Sequence, residues 1–529
     1  MKSTASQCLR SLFALLVLAS FAAAQSSSNA YERTVVAIQD QIQKGNLDSA
    51  HALVVEASRQ YPANGGIENL QGVIAIQQGH AEEAEKEFRA AIQHRPQLMS
   101  AYLNLGRLYA LNAAQDPDAI TKALRVFDKA LAVEPENAEA NYDSATLLMR
   151  SKKYEQSLER LRELGPEEKQ NLSALAVACA DEAGLGHTAK AEQKVAMLAS
   201  REDLTEADVM DTIPVFVAVH RADSADILLS AVASHQVLSA TGLRMLGLVH
   251  EAEGQLPAAQ ETLERAFAAD SRATTTLVDL ARVAEARQDF TGALGYLAHA
   301  RDIDPSDASL PYLFGTICLK MKLLVEARKA LTEALRLAPE NPDYNYALGT
   351  VMTFAQGPKD ALPYFTKYHS LRPADAKGIL ALGTTSFRAK DWETALPWLK
   401  QAANNPSTAA SAHYYLGRIA RLEGRLDEAV SELTMSSTMG PDQPDVLAEL
   451  GQVNVQLKKY GVAEKQLDRA AALDADNYAA NFGLLQLYAQ TGDPRRDDQS
   501  KRFEGIKQKS EEELKNSLQS LEIRPGDTP

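Results

Sequence analysis

A spacing constrains this chain more than any single residue does. Between Ala240 and Asn477, small residues return every thirty-four positions without a gap. One column reads Gly247, Ala281, Gly315, Gly349, Gly383, Gly417 and Gly451. A second, twelve residues on, reads Ala259, Ala293, Ala327, Ala361, Ala395, Ala429 and Ala463. Four residues after each alanine stands a large side chain: Leu263, Leu297, Leu331, Phe365, Leu399, Leu433 or Leu467. Proline closes several units, at Pro305, Pro339, Pro373 and Pro441. A period of this length marks a solenoid of stacked supersecondary units. Each unit holds two apolar-periodic runs of helical length. Between them lies a break at Gly254, Gly424 or Lys458-Lys459, followed by an apolar restart such as Leu256, Phe290, Trp392 or Tyr460. The unit is therefore helix, short turn, helix. Glycine inside a helix costs roughly 1 kcal/mol relative to alanine, so its recurrence needs a packing reason: the two helices of a unit approach closely there.

The same pattern extends to both sides. N-terminal units occupy residues 31–137, with Gly72, Ala84, Phe88, Ala91 and Pro96 in the second. The third carries about five extra residues around Asn112–Asp118. Insertions in a solenoid fall in turns, and Asp116-Pro117 places this one between the unit's two helices. Residues 138–239 keep the period but diverge. Ser157, Ala191 and Ala225 hold the alanine column, while the glycine column becomes Ala145, Cys179 and Ile213. Pro214 falls inside an expected helix, where it removes a backbone hydrogen bond. The stretch from Glu167 to Gln236 is expected to be bent or loosened, either as a hinge or through drift. Beyond the regular array of 240–477, residues 478–521 read as a last first-helix and a capping helix. Phe503, Ile506, Leu514, Leu518 and Leu521 lie at helical spacing on the latter, which would cover the array's open end. Residues 522–529 are expected to be disordered.

In register, small residues at positions 8, 20 and 27 and proline at 32 make these units resemble the tetratricopeptide repeat (TPR). Ala266, Ala300, Ala334 and Ala402 fill position 27. The resemblance implies an all-α fold, a right-handed α-solenoid of about thirteen helix-turn-helix TPR units with a C-terminal capping helix. It also implies a concave groove that binds proteins or peptides.

Composition narrows the partners. Hydrophobic residues make up 45% and aromatics 6%, the balance of an alanine- and leucine-rich helical array. The formal net charge is −15. Nucleic acid needs a basic face to neutralise phosphate, and anionic lipid likewise attracts basic surfaces, so neither is an expected partner. At the N-terminus, Lys2 and Arg10 precede the apolar run Leu12–Ala24, which ends in Ala22-Ala23-Ala24 before a serine-rich patch. This is the pattern of a secretory signal peptide over 1–24, cleaved after Ala24, with 25–30 as a linker. The apolar run is short for a bilayer, which takes about 20 residues, so no membrane span is expected after cleavage. The chain reads as exported, periplasmic or secreted. Cys8 precedes the apolar run and is misplaced for lipoprotein acylation. Cys179 and Cys318 lie more than four repeats apart, too far for a disulfide within one solenoid, and read as small buried hydrophobes.

No catalytic constellation emerges. His250-Glu251 begins a zinc-protease pattern, but Gly254 stands where its second histidine belongs. There is no paired-cysteine metal spacing, no Gly-x-Ser-x-Gly elbow, and no stretch outside the repeats long enough for a catalytic domain. The chain reads as no enzyme, with no cofactor, metal or catalytic residue. What remains is a binding surface. In the family, positions 2, 5, 9 and 12 of the first helix line the groove. Here that implies Arg244, Tyr312, Tyr346, Tyr414 and Phe482 at position 5, Arg282 and Arg418 at position 9, and Arg421 at position 12. Tyrosine and arginine dominate binding hot spots, and Arg418 with Arg421 offers a place for a carboxylate or phosphate. The alternative is that position-5 tyrosines pack between neighbouring helices. Functionally, the expectation is a non-catalytic scaffold in the bacterial envelope that holds protein or peptide partners. A glycan- or peptidoglycan-binding role, or one accessory to polysaccharide secretion, is the alternative, since tyrosine faces stack on sugar rings.

Overall fold

A computed structural model describes residues 28–113, 116–440 and 443–519. The expected signal peptide, the tail and Pro441 lie outside the described residues. Among those described, all regular structure is helical. The chain divides into two compact units, Met1–Ser271 and Arg272–Pro529.

In the second unit the helices form successive hairpins. They are Thr274–Ala286 with Phe290–Ile303, Ser309–Lys320 with Leu324–Leu337, and Pro342–Ala355 with Pro358–Leu371. Ala376–Arg388 with Trp392–Ala402, Ala409–Leu422 with Leu426–Met439, and Pro444–Gln456 with Tyr460–Leu473 follow. We call the two members helix A and helix B. The glycine column is where they touch. A Cβ added to Gly315 would lie 2.7 Å from Cγ of Leu331, and one on Gly451 2.5 Å from Cγ of Leu467. Real atoms do not approach that closely, so the large residue of helix B, buried in each case, fits only over a missing side chain.

The turn between the helices has its own rule. Position 15 of the repeat, the second residue past the end of helix A, adopts a left-handed backbone at Gly254 and Gly424. It does so equally at Gln288, Lys322, Lys390 and Lys458, with φ between 59 and 63°. Gln356-Gly357 departs: the glycine takes φ 116° one position later, and Pro358 opens helix B at its first position. Two of the connections from helix B to the next helix A in this unit are closed by asparagine. Asn341 caps Pro342–Ala355 by accepting from the N–H groups of Asp343 and Tyr344. The buried Asn345 amide then donates back to the carbonyls of Pro339 and Asn341 at 3.2 and 2.9 Å. Asn477 and Asn481 repeat the device, as do Asn137 and Asn141 in the first unit. Each satisfies orphan groups that a helix end otherwise leaves bare.

Pro363 and Pro397, expected near the start of helix B, lie inside Pro358–Leu371 and Trp392–Ala402. Each therefore removes a helical hydrogen bond rather than an end group. At the C-terminus, Tyr478–Thr491 is followed by the capping helix Arg496–Gln519, with Phe503 and Ile506 buried.

The first unit begins with helix Ser28–Gln43, three residues inside the expected linker. It continues through regular hairpins to Ala138–Arg150 with Tyr154–Arg162. The insertion lies between Met99–Leu111 and Ala119–Val133, in the turn. Within the diverged segment the next pair, Leu172–Gly184 and Thr188–Ala199, is still regular, and the pattern then breaks. Where one helix A is expected, the chain forms Glu206–Val209 and Ile213–Ala218, with Pro214 in the first turn of the second piece. The proline starts a short helix instead of kinking a long one. Ile213 and Phe216 remain buried in the core shared with Leu228, Leu229 and Val232. The unit closes with Ala240–Ala252 and Leu256–Ala269. Cys179 and Cys318 are buried free thiols, pushed by burial up to about 12 and about 11.

Candidate functional site

Arg244 stands half-buried on Ala240–Ala252 of the first unit. The other seven sequence-predicted residues lie on A helices of the second unit, and most are engaged within the fold. Tyr312 stacks on Tyr344 of the next repeat, with ring centroids 4.7 Å apart and planes 30° apart. Tyr346 meets Phe365 and Tyr368 of its own hairpin at 5.4 and 5.0 Å. Tyr414 packs edge-on against Tyr415 at 5.1 Å. Burial raises all three phenols, Tyr414 to about 12; near neutral pH they remain donors. Arg282 pairs with Asp279, one turn back on its own helix, at 3.0 Å. Phe482 tilts against Phe503 of the capping helix at 5.5 Å.

Arg418 and Arg421 do come together, but their anion is internal. Glu449, buried in Pro444–Gln456 of the following repeat, places one carboxylate oxygen 2.7 Å from Nε of Arg421 and the other 3.1 Å from Nε of Arg418. The Arg421 contact is a hydrogen bond. The Arg418 contact is a charge contact without hydrogen-bond alignment. The Arg418 guanidinium also lies over the rings of Phe387 and Tyr414, at 5.0 and 5.4 Å. The expected seat for an outside carboxylate is thus filled by the chain itself.

An open site lies two helices earlier. Between Pro342–Ala355 and Ala376–Arg388 is a cleft of about 240 Å³. Tyr346, Phe365 and Leu380 form its apolar surface, Thr350 and Thr384 its polar one, and Phe354, Lys377 and Arg388 its rim. Phe354 is 62% exposed, and Arg388 lies 6.0 Å above its ring. Of these, only Tyr346 was among the expected site residues. Lys377 holds position 2, one of the implied groove positions, and passes unnoticed as an ordinary surface lysine. Phe354 and Arg388 share position 13, just beyond the implied groove positions. The available signal was a lone aromatic in a column otherwise held by Ala252, Ala286, Lys320, Arg388, Leu422, Gln456 and Gln490. No group of three or more His, Cys, Asp or Glu side chains suited to a metal occurs among the described residues.

One tetratricopeptide repeat model matches residues 36–98, 69–119, 244–308, 380–444 and 449–495; a second matches 116–180 and 284–350. Together they span well over half of the sequence. The chain belongs to the tetratricopeptide repeat family. Solved structures similar to it include the APC/C hetero-tetramer Cut9–Hcn1, at 15% identity over 86% of this chain and 90% of that one, TM-score 0.38. Yeast Tom70 is 15% identical over 88% and 95%, TM-score 0.37. A TPR protein from Parabacteroides merdae ATCC 43184 is 19% identical over 48% and 99%, TM-score 0.40. At such scores these likenesses say nothing of function. No curated protein matches the chain. TPR proteins as a family are repeat scaffolds that bind protein or peptide partners. Among the described residues, no helix is long and apolar enough to cross a membrane.

Proposed function

We propose that this TPR protein is an exported, non-catalytic scaffold of the bacterial envelope that holds protein or peptide partners on the face built by its A helices. The observation that carries the reading is the cleft beside Tyr346. It is an accessible pocket of mixed aromatic, hydroxyl and cationic character between two successive A helices, and such mixtures favour recognition. Export rests on the N-terminal pattern of Lys2, Arg10 and the apolar run to Ala24.

The test is affinity capture from envelope extract with the full chain, beside a Thr350→Arg, Thr384→Arg variant. Both threonines are half-buried on the A face, so arginine there obstructs the surface without emptying the core. One protein retained by the wild type and lost by the variant, at unchanged helicity, supports the scaffold. Retention of glycan alone, or of nothing, overturns it. Export is read separately: cell fractionation should place the mature protein outside the cytoplasm, with its N-terminus at Gln25.

A further inference from the structure

We propose that the cleft between Pro342–Ala355 and Ala376–Arg388 receives an extended acidic segment of a partner protein, its carboxylates at Lys377 and Arg388 and an apolar side chain against Phe354. This rests on the scaffold reading and specifies the ligand.

Charge is the first argument. The chain carries a net −15, yet the cleft is lined by two cations and no carboxylate. Asp375, close in sequence to Lys377, is already committed. One of its oxygens accepts the Lys377 backbone N–H at 2.9 Å, and the other accepts the Tyr368 hydroxyl. Arg388 faces the Phe354 ring and pairs with no carboxylate among the described residues. By contrast, Arg418 and Arg421 are already neutralised by Glu449. The cleft is a cationic spot that the fold leaves open.

The hydroxyls supply the second argument. Thr350 donates to the carbonyl of Tyr346 at 3.0 Å, Thr353 to that of Gly349 at 2.9 Å, and Thr384 to that of Ala381 at 3.2 Å. Each spends its only hydrogen on its own helix and keeps lone pairs for accepting. A wall of acceptors suits the N–H groups of an extended main chain. The third argument is reach. Lys377 and Arg388 stand near opposite ends of one helix, roughly 16 Å apart along the axis at about 1.5 Å per residue. An extended strand rises about 3.3 Å per residue, so the matching carboxylates lie about five residues apart.

The experiment measures fluorescence anisotropy of the full chain with a labelled nine-residue peptide. Its two glutamates stand five positions apart with leucine between them, and a glutamine counterpart serves as comparison. The acidic peptide should bind at least tenfold more tightly than the glutamine one and weaken with added salt. Lys377→Glu with Arg388→Glu should abolish that preference, and Phe354→Ala should weaken binding at least threefold. Both cations are exposed, so helicity should not change. Lys400→Glu, on helix B, should bind as wild type. Equal binding of the two peptides, or an unaffected charge-reversed variant, overturns the proposal. Running the charge-reversed variant in the envelope capture separates the two readings: a partner still retained sinks this cleft and leaves the scaffold standing, whereas no partner for the wild type sinks the scaffold itself.

Discussion

The Glu449 carboxylate, 6% exposed, lies 2.7 Å from Nε of Arg421 on the preceding helix A and also touches Arg418. One anion thus joins two repeats through two cations. Removing a single partner of a buried ion pair costs roughly 3–5 kcal/mol, because charge is left without compensation. Both arginines keep some contact with water, which lowers the penalty. Glu449→Gln is expected to destabilise the second unit by about 2–3 kcal/mol, read as an earlier urea transition. An unchanged midpoint would make the triad dispensable.

The glycine column makes a paired prediction. Gly417→Ala would put a Cβ 2.6 Å from Cγ of Leu433. Overpacking of this kind costs about 1–3 kcal/mol, despite alanine's better helix propensity. Gly295→Ala, inside helix B Phe290–Ile303, meets nothing within 4 Å and should stabilise by about 0.5–1 kcal/mol. Opposite shifts in thermal midpoint from the same substitution would separate packing from propensity. Shifts of the same sign would refute the close-approach account.

Much of this was written in the columns. The spacing of Gly315 and Leu331 sets the hairpin, and their contact is the one the sequence demands. Pro214 marked the break in the diverged segment. Its outcome, two short helices, depends on where Ile213 and Phe216 find the core, which is a tertiary choice. The site was less legible for the same reason. Column membership identifies Arg418, Arg421 and Tyr346 as facing one side. Whether a cation is open depends on a neighbour one helix away, and Glu449 at position 6 carries no mark of that role. Tyr312 and Tyr346 read equally well as binding or packing residues, and their ring contacts with Tyr344 and Phe365 show how far packing engages them.

The turn offers a gain in stability. Lys322 holds φ at 61°, the conformation that Gly254 and Gly424 adopt at the equivalent position. A left-handed backbone costs a residue with a Cβ roughly 1–2 kcal/mol, partly offset by glycine's greater freedom when unfolded. Lys322→Gly should therefore raise stability by about 0.5–1 kcal/mol. Gly254→Lys should lower it comparably. Thermal denaturation of the two variants checks the sign of both, and a destabilising Lys322→Gly would contradict the turn geometry.

Asp181 supplies a pH dependence. Its side chain is 0% exposed on Leu172–Gly184, and both carboxyl oxygens lack a donor. Burial pushes its pKa up to about 8; the Ser157 hydroxyl nearby pulls the other way, and the charge of Glu182 adds to the rise. The Ser157 hydrogen, however, goes to the Ala145 carbonyl at 2.9 Å, so the carboxyl stays without a donor. In the unfolded chain an aspartate releases its proton near pH 3.9. Below that value both states are protonated and the contribution is constant. From about pH 4 to about pH 8 the folded state holds the proton that the unfolded state has lost, so stability falls with pH by up to about 1.4 kcal/mol per unit. Above about 8 both states are ionised and the loss levels off. Asp181→Asn keeps the shape and cannot ionise. Its stability relative to wild type should therefore rise across pH 5–8, with the variant less stable than or equal to wild type at the acidic end and more stable at the alkaline end. Denaturant midpoints of the two proteins at matched pH values isolate this group from every other titration. Parallel profiles would mean that the Asp181 carboxyl ionises as freely in the fold as in the unfolded chain.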